Sequence, residues 1–120
     1  MGKKHWLSML WTVLALAPLQ VSAQDADTIA DVRCVAVGVR SAEKPDSRLK
    51  STGTLLVLYY IGRLNGRNPT LDIEKMLSEQ IAKMTDADYA AETSRCSKDL
   101  TQTGAQITKL GDDMQKHFSR

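Results

Sequence analysis

The chain has few of the groups that carry catalysis. It holds two histidines and two cysteines among 120 residues. It contains no His-Glu-x-x-His, no Gly-x-Ser-x-Gly and no glycine loop ending in Lys-Ser/Thr. That removes the familiar zinc-protease, serine-hydrolase and phosphate-cradling sites. Cys34 and Cys96 would need two more ligands to hold zinc, and His117 is the only histidine beyond residue 5. Their spacing is also far from the Cys-x-x-Cys of a redox pair. Neither a metal nor another cofactor is therefore expected. Past residue 23 no apolar run approaches the ~20 residues of a membrane span. Net charge is nearly absent as well: 16 basic residues face 14 acidic ones. Lys3 and Lys4 account for the excess, so nothing in the rest of the chain marks a nucleic-acid surface.

What is present begins with a leader. Lys3 and Lys4 precede an apolar stretch from Trp6 to Leu16, Pro18 breaks it, and Val21-Ser22-Ala23 offers small residues to a signal peptidase. This pattern predicts a secretory signal peptide over residues 1–23, cleaved after Ala23, and a periplasmic or secreted protein. The competing reading keeps Trp6 to Leu16 as an anchor, which would make the chain a membrane-tethered envelope subunit. Residues 24–120 then form a single domain with a modest core, of a size that gains from a covalent staple. Two cysteines in an exported chain most simply form one disulfide. Closing a loop of about 62 residues from Cys34 to Cys96 stabilises a domain by roughly 4 kcal/mol in the chain-entropy picture.

The remaining chain reads as four helices. Asp27 or Thr28 caps a first helix through about Val39, with Ile29, Val32, Ala36 and Val39 on one stripe. A strand over Cys34–Val39 is the competing reading, but no second strand of comparable quality exists to pair with it. Asp46 or Ser47 caps a second helix to about Leu64, and Asn65-Gly66 reads as its stop. This helix holds Leu55 to Ile61, seven consecutive apolar or aromatic residues. Such a run has no solvent face, so it is expected at the centre of the domain. Gly53 within it can let a neighbouring helix come close. Gly62 and Gly66 read as packing and C-cap positions.

Asn68 with Pro69 reads as the start of a third helix, with Ile73, Met76, Leu77, Ile81 and Met84 on one stripe. Thr85 caps the last helix, whose seam runs Tyr89, Thr93, Cys96, Leu100, Thr103, Ile107, Leu110, Met114 and His117. Steps of four and three are a heptad pattern, read here as one side of an intramolecular bundle in preference to a coiled-coil dimer. A break near Gly104 is expected, because an unbroken helix would be ~50 Å long. The fold class is thus all-α: a small four-helix bundle stapled first to last by one disulfide.

No catalytic residue is assigned. Asp112 and Asp113 are adjacent, so their side chains diverge by ~100° and do not form an acid-base pair. Tyr59, Tyr60, Arg63 and Arg67 lie toward one end of the second helix. Aromatics with arginines are the chemistry of a binding hot spot, which makes these four the candidate contact patch. They are also where an enzyme site would be expected, if one exists.

A leader, about a hundred helical residues and one Cys near each end resemble the small periplasmic acid-stress chaperones of the HdeA and HdeB type. The stretch Tyr59-Tyr60-Ile61-Gly62-Arg63-Leu64-Asn65-Gly66 is similar to the aromatic-then-glycine core of such proteins. It also resembles exported proteobacterial proteins with a Tyr-Tyr-x-Gly-Arg-x-x-Gly-Arg-x-Pro stretch, matched by Tyr59, Tyr60, Gly62, Arg63, Gly66, Arg67 and Pro69. The resemblance departs at the first Cys, before which the chaperones carry a Trp and this chain has Ile29-Ala30-Asp31-Val32-Arg33. It implies a non-enzymatic protein that binds other proteins or the cell envelope and exposes apolar surface when its carboxylates are protonated. The expected state is a monomer or homodimer.

Overall fold

A computed structural model of the chain describes residues 21–119. It contains four helices: α1 (Val21–Ala42), α2 (Ser47–Arg67), α3 (Ile73–Lys83) and α4 (Asp86–Phe118). No strand occurs among the described residues, and the Cys34–Val39 segment is helical. The fold is therefore the expected all-α bundle, with a disulfide joining Cys34 to Cys96. The leader lies outside the described residues up to residue 20. α1 starts ahead of the anticipated Asp27 cap, because residues 21–26 contain no Gly or Pro to interrupt a helix.

The centre of the bundle is α1, not α2. Asp31, Val32 and every residue from Cys34 to Gly38 are buried, and α2, α3 and α4 all pack against α1. Short side chains explain this position: Cys, Val, Ala and Gly let neighbours approach from several directions. On α2 only the face of Gly53, Leu56, Tyr60 and Leu64 is buried. Leu55 and Leu58 are 57 % and 66 % exposed. Among the described residues the apolar run thus has a solvent face after all, since the other helices gather on α1 and none of them covers the far side of α2.

Gly53 has the role expected of it. A Cβ there would lie 2.4 Å from the Ala42 nitrogen and 2.5 Å from the Gly38 carbonyl oxygen. One on Gly38 would meet the Gly53 oxygen at 2.9 Å. These two glycines set the α1–α2 crossing distance. Gly62 and Gly66 have no such role, for a Cβ on either meets nothing within 4 Å.

The helix ends follow local chemistry. The Asp46 carboxylate caps α2 by accepting from the amides of Arg48 and Leu49. α2 runs past Asn65-Gly66 and stops at Arg67, because Asn68 precedes Pro69 and adopts an extended conformation (φ −145°, ψ 91°). Asn68 is consequently not the cap of α3. Its side chain accepts from the Thr70 amide and hydroxyl, and Asp72 caps α3 through the Lys75 amide. α4 opens with a capping box. The Asp88 amide donates to the Thr85 hydroxyl at 3.2 Å and the Thr85 amide to the Asp88 carboxylate at 2.8 Å. The Thr85 backbone and hydroxyl donors hold the Asp88 carboxyl below its ordinary range.

α4 is unbroken over its 33 residues, a length of ~50 Å. The break expected near Gly104 is absent. Among the described residues no helix packs at Gly104 or Gly111, where an added Cβ meets nothing within 4 Å, so none of them bends α4 there. Its first half lies on the bundle through Tyr89, Cys96 and Leu100. Its second half projects with every residue from Gly104 to Ser119 exposed.

Candidate functional site

Tyr60 and Leu64 turn one face of α2 into the core, and the polar ends of Tyr60, Arg63 and Arg67 follow toward α1 and α4. Asp31 of α1 waits there, only 2 % exposed. Its carboxylate pairs with Arg63 Nε at 3.1 Å and with the Arg67 guanidinium. Arg63 also donates to Asp99 of α4 at 2.7 Å, and the Tyr60 hydroxyl donates to the same Asp99 oxygen at 2.8 Å. The Tyr59 hydroxyl lies 3.0 Å from the Thr103 hydroxyl and accepts from Arg63 at 3.3 Å. The two tyrosine rings meet edge to face at 4.9 Å, with the Arg63 guanidinium 5.6 and 5.3 Å from their centres. The four residues form one network with Asp31, Asp99 and Thr103, and it ties α2 to both α1 and α4.

The electrostatics follow from that enclosure. Burial, then the Asp99 hydrogen bond, push the Tyr60 hydroxyl well above the ordinary phenol range, so it remains a donor. Burial acts to lower the Arg63 pKa, but the Tyr59 hydroxyl and the Asp31 and Asp99 carboxylates outweigh it. Arg63 is a permanent cation held between two carboxylates.

The disulfide sits beside a second polar cluster. Cys34 and Cys96 have Cα atoms 5.7 Å apart and no exposed surface. Arg95 covers them, donating to the Ala30 carbonyl at 2.7 Å with its terminal nitrogen 3.0 Å from the Cys34 sulfur. Arg95 also pairs with Glu92, as does Arg33, which donates in turn to Gln80 of α3. Cys34, Glu92 and Cys96 lie close enough to share a metal ion. The two sulfurs are bonded to each other, however, and Glu92 is held by two arginines. This cluster joins α1, α3 and α4.

Next to the polar network runs an apolar groove of about 520 Å³, lined by Leu55, Leu58 and Tyr59 of α2 and by Leu100, Thr103, Gly104 and Ile107 of α4. It is shallow and open, and Tyr60, Arg63 and Arg67 do not line it. Beyond the groove the apolar side of α4 continues through Leu110, Met114 and Phe118, the last 78 % exposed. His117 stacks edge to face on Phe118 at 5.9 Å and is likewise exposed.

The sequence reading identified the four α2 residues and both cysteines. It did not single out Asp31 or Asp99. One signal for Asp31 was there: a carboxylate on a segment of Val, Ala and Cys, opposite a helix whose end carries two arginines. It missed the groove because it took Leu55 and Leu58 as interior. A smaller cleft of about 350 Å³ lined by Arg40, Lys44, Asp86 and Tyr89 was not anticipated either. There Arg40 pairs with Asp86 at 2.9 Å and lies 4.4 Å over the Tyr89 ring. Comparison of the chain with protein-family models, with curated proteins and with solved structures finds no match.

Proposed function

We propose that the chain is an exported, non-enzymatic helical protein that binds other polypeptides through the apolar surface of α2 and α4. The observation that carries this reading is the row of exposed large side chains: Leu55, Leu58, Ile107, Leu110, Met114 and Phe118. Contiguous apolar surface of this kind is characteristic of interaction sites on soluble proteins. The acid-stress form of the reading is favoured by the Asp31 and Asp99 network. Arg63 and Arg67 hold α2 to α1 and α4 through these two carboxylates, and breaking that pairing weakens the hold. More of the apolar lining then becomes available to a client.

The test is light scattering from an unfolding client protein at pH 2.5 and at pH 7, with and without the chain. Suppressed scattering that is lost in a Leu55→Asp/Leu58→Asp variant is the expected result. Suppression at low pH alone supports the acid-stress form. Unchanged scattering at both pH values overturns the binding reading. The intact mass of protein recovered from the periplasm, before and after reduction and alkylation, tests export. A chain beginning at Gln24 that alkylates twice only after reduction is expected, and a full-length mass would indicate a retained anchor.

A further inference from the structure

We propose that the far half of α4 pairs antiparallel with the same segment of a second copy, placing Phe118 of each copy in the α2–α4 groove of the other. The proposal rests on the binding reading above and names its partner. The heptad seam of α4 is used within the bundle as far as Thr103, which bonds to Tyr59. From Ile107 onward the same seam carries Leu110 and Met114, which are 60 % and 50 % exposed. A regular seam that outruns its own bundle is built to meet another helix.

The position beside the seam says which helix. Gly104, Gly111 and Phe118 are spaced by seven and occupy one heptad position. In an antiparallel pair with Leu110 of one copy opposite Met114 of the other, Gly111 lies near the two-fold axis and meets Gly111 of the second copy. The same register brings Phe118 of each copy to within two residues, ~3 Å along the axis, of Gly104 in the other. Gly104 is a wall of the apolar groove, with no atom within 4 Å of where its Cβ would be. The smallest residue therefore faces the largest, and the groove of about 520 Å³ has room for a phenyl ring. A surface that fits itself about a two-fold axis is what a symmetric dimer requires.

Area and charge are consistent with this occupant. Six exposed apolar side chains on each of two copies bury on the order of 1,000 Å² in total, which reaches the lower bound for a specific interface. Asp113 also approaches the axis, and it brings its own counter-ions in Lys109 at 2.7 Å and Lys116 at 3.9 Å.

The experiment combines sedimentation with site-directed cross-linking of the mature, disulfide-bonded chain. Wild type is expected to sediment as a concentration-dependent dimer, and Leu110→Asp to raise the dissociation constant at least roughly tenfold, as loss of a central interface residue does. Gly111→Cys is expected to form a covalent dimer under mild oxidation, whereas Asp112→Cys, on the outer face, forms little. Both positions are exposed, so neither variant endangers the fold. A chain that stays monomeric at 100 µM overturns the proposal, as does a dimer that Gly111→Cys cannot trap. Client scattering repeated with wild type diluted below the dimer dissociation constant, where the whole apolar row is intact, separates the two readings. Retained suppression leaves general binding standing whatever the fate of the dimer.

Discussion

At the α1–α2 crossing a Cβ on Gly53 would lie 2.4 Å from the Ala42 backbone, whereas on the far half of α4 one on Gly104 or Gly111 would meet nothing within 4 Å. The crossing is also where the chain is most enclosed, with Gly38, Gly53 and Leu56 all buried. The far half of α4 has no buried residue at all. The same residue type thus permits contact in one region and forgoes helix stability in the other. Stability in this protein is concentrated around α1, and the projecting helix holds its shape by hydrogen bonding along itself. Such an arrangement should divide under perturbation: changes near α1 unfold the domain, and changes beyond Gly104 leave it folded.

The largest effect should come from the staple. A Cys34→Ser/Cys96→Ser variant is expected to lose about 4 kcal/mol, read as a fall in the urea midpoint with a steeper slope, because the denatured chain without the cross-link exposes more surface. A loss below about 1 kcal/mol would mean that α1 and α4 hold together without the bond, and the contrast between the two regions would shrink. Next comes Gly53→Ala. The methyl group meets backbone atoms that cannot rotate away, so α1 and α2 must separate, at a cost of about 1–3 kcal/mol. A neutral Gly53→Ala would show that the crossing is loose.

The same contrast explains what could be read from the sequence. Helix starts at Asp46 and Thr85 were legible because capping is local: one side chain and the amides two or three residues on. The disulfide was legible because the chain holds only two cysteines. The centre of the bundle was not, because Leu55 to Ile61 is the more hydrophobic run while Val32 to Val37 is the one with neighbours on several sides. Hydrophobicity reports what a segment would gain from burial; small side chains decide which segment can be approached from several directions. The end of α2 was misplaced for a related reason. Asn65-Gly66 merely tolerates a stop, whereas Pro69 imposes one on Asn68. Of the site, the α2 side of the polar network was visible as an aromatic and arginine pattern. The partners Asp31 and Asp99 belong to other helices, and their pairing is a tertiary fact.

The smaller predictions probe the border between the two regions. Tyr60 reaches Asp99, the last strong link before α4 leaves the bundle. Tyr60→Phe is expected to cost about 1.5 kcal/mol at neutral pH, as for a hydrogen bond to a charged group. It should also change the alkaline limb. In the folded state the Tyr60 pKa is raised above its ordinary value of 10.0, so the stability it contributes is complete below pH ~10 and is lost as pH rises through the folded value. Wild type should therefore lose stability above pH ~10 more steeply than Tyr60→Phe. Parallel curves would place the hydroxyl in contact with solvent. The smallest effect, and of opposite sign, is expected for Gly104→Ala. In dilute protein the new methyl group meets open space, and the helix gains about 0.5–1 kcal/mol. Because the far half opens without the core, global melting will not register the gain. Amide exchange beyond Gly104 should, with protection rising by roughly two- to five-fold. The sign is expected to reverse at high concentration, where Phe118 of a second copy would occupy the space that the methyl group takes. Protection that rises equally at both concentrations would argue that nothing comes to rest against Gly104.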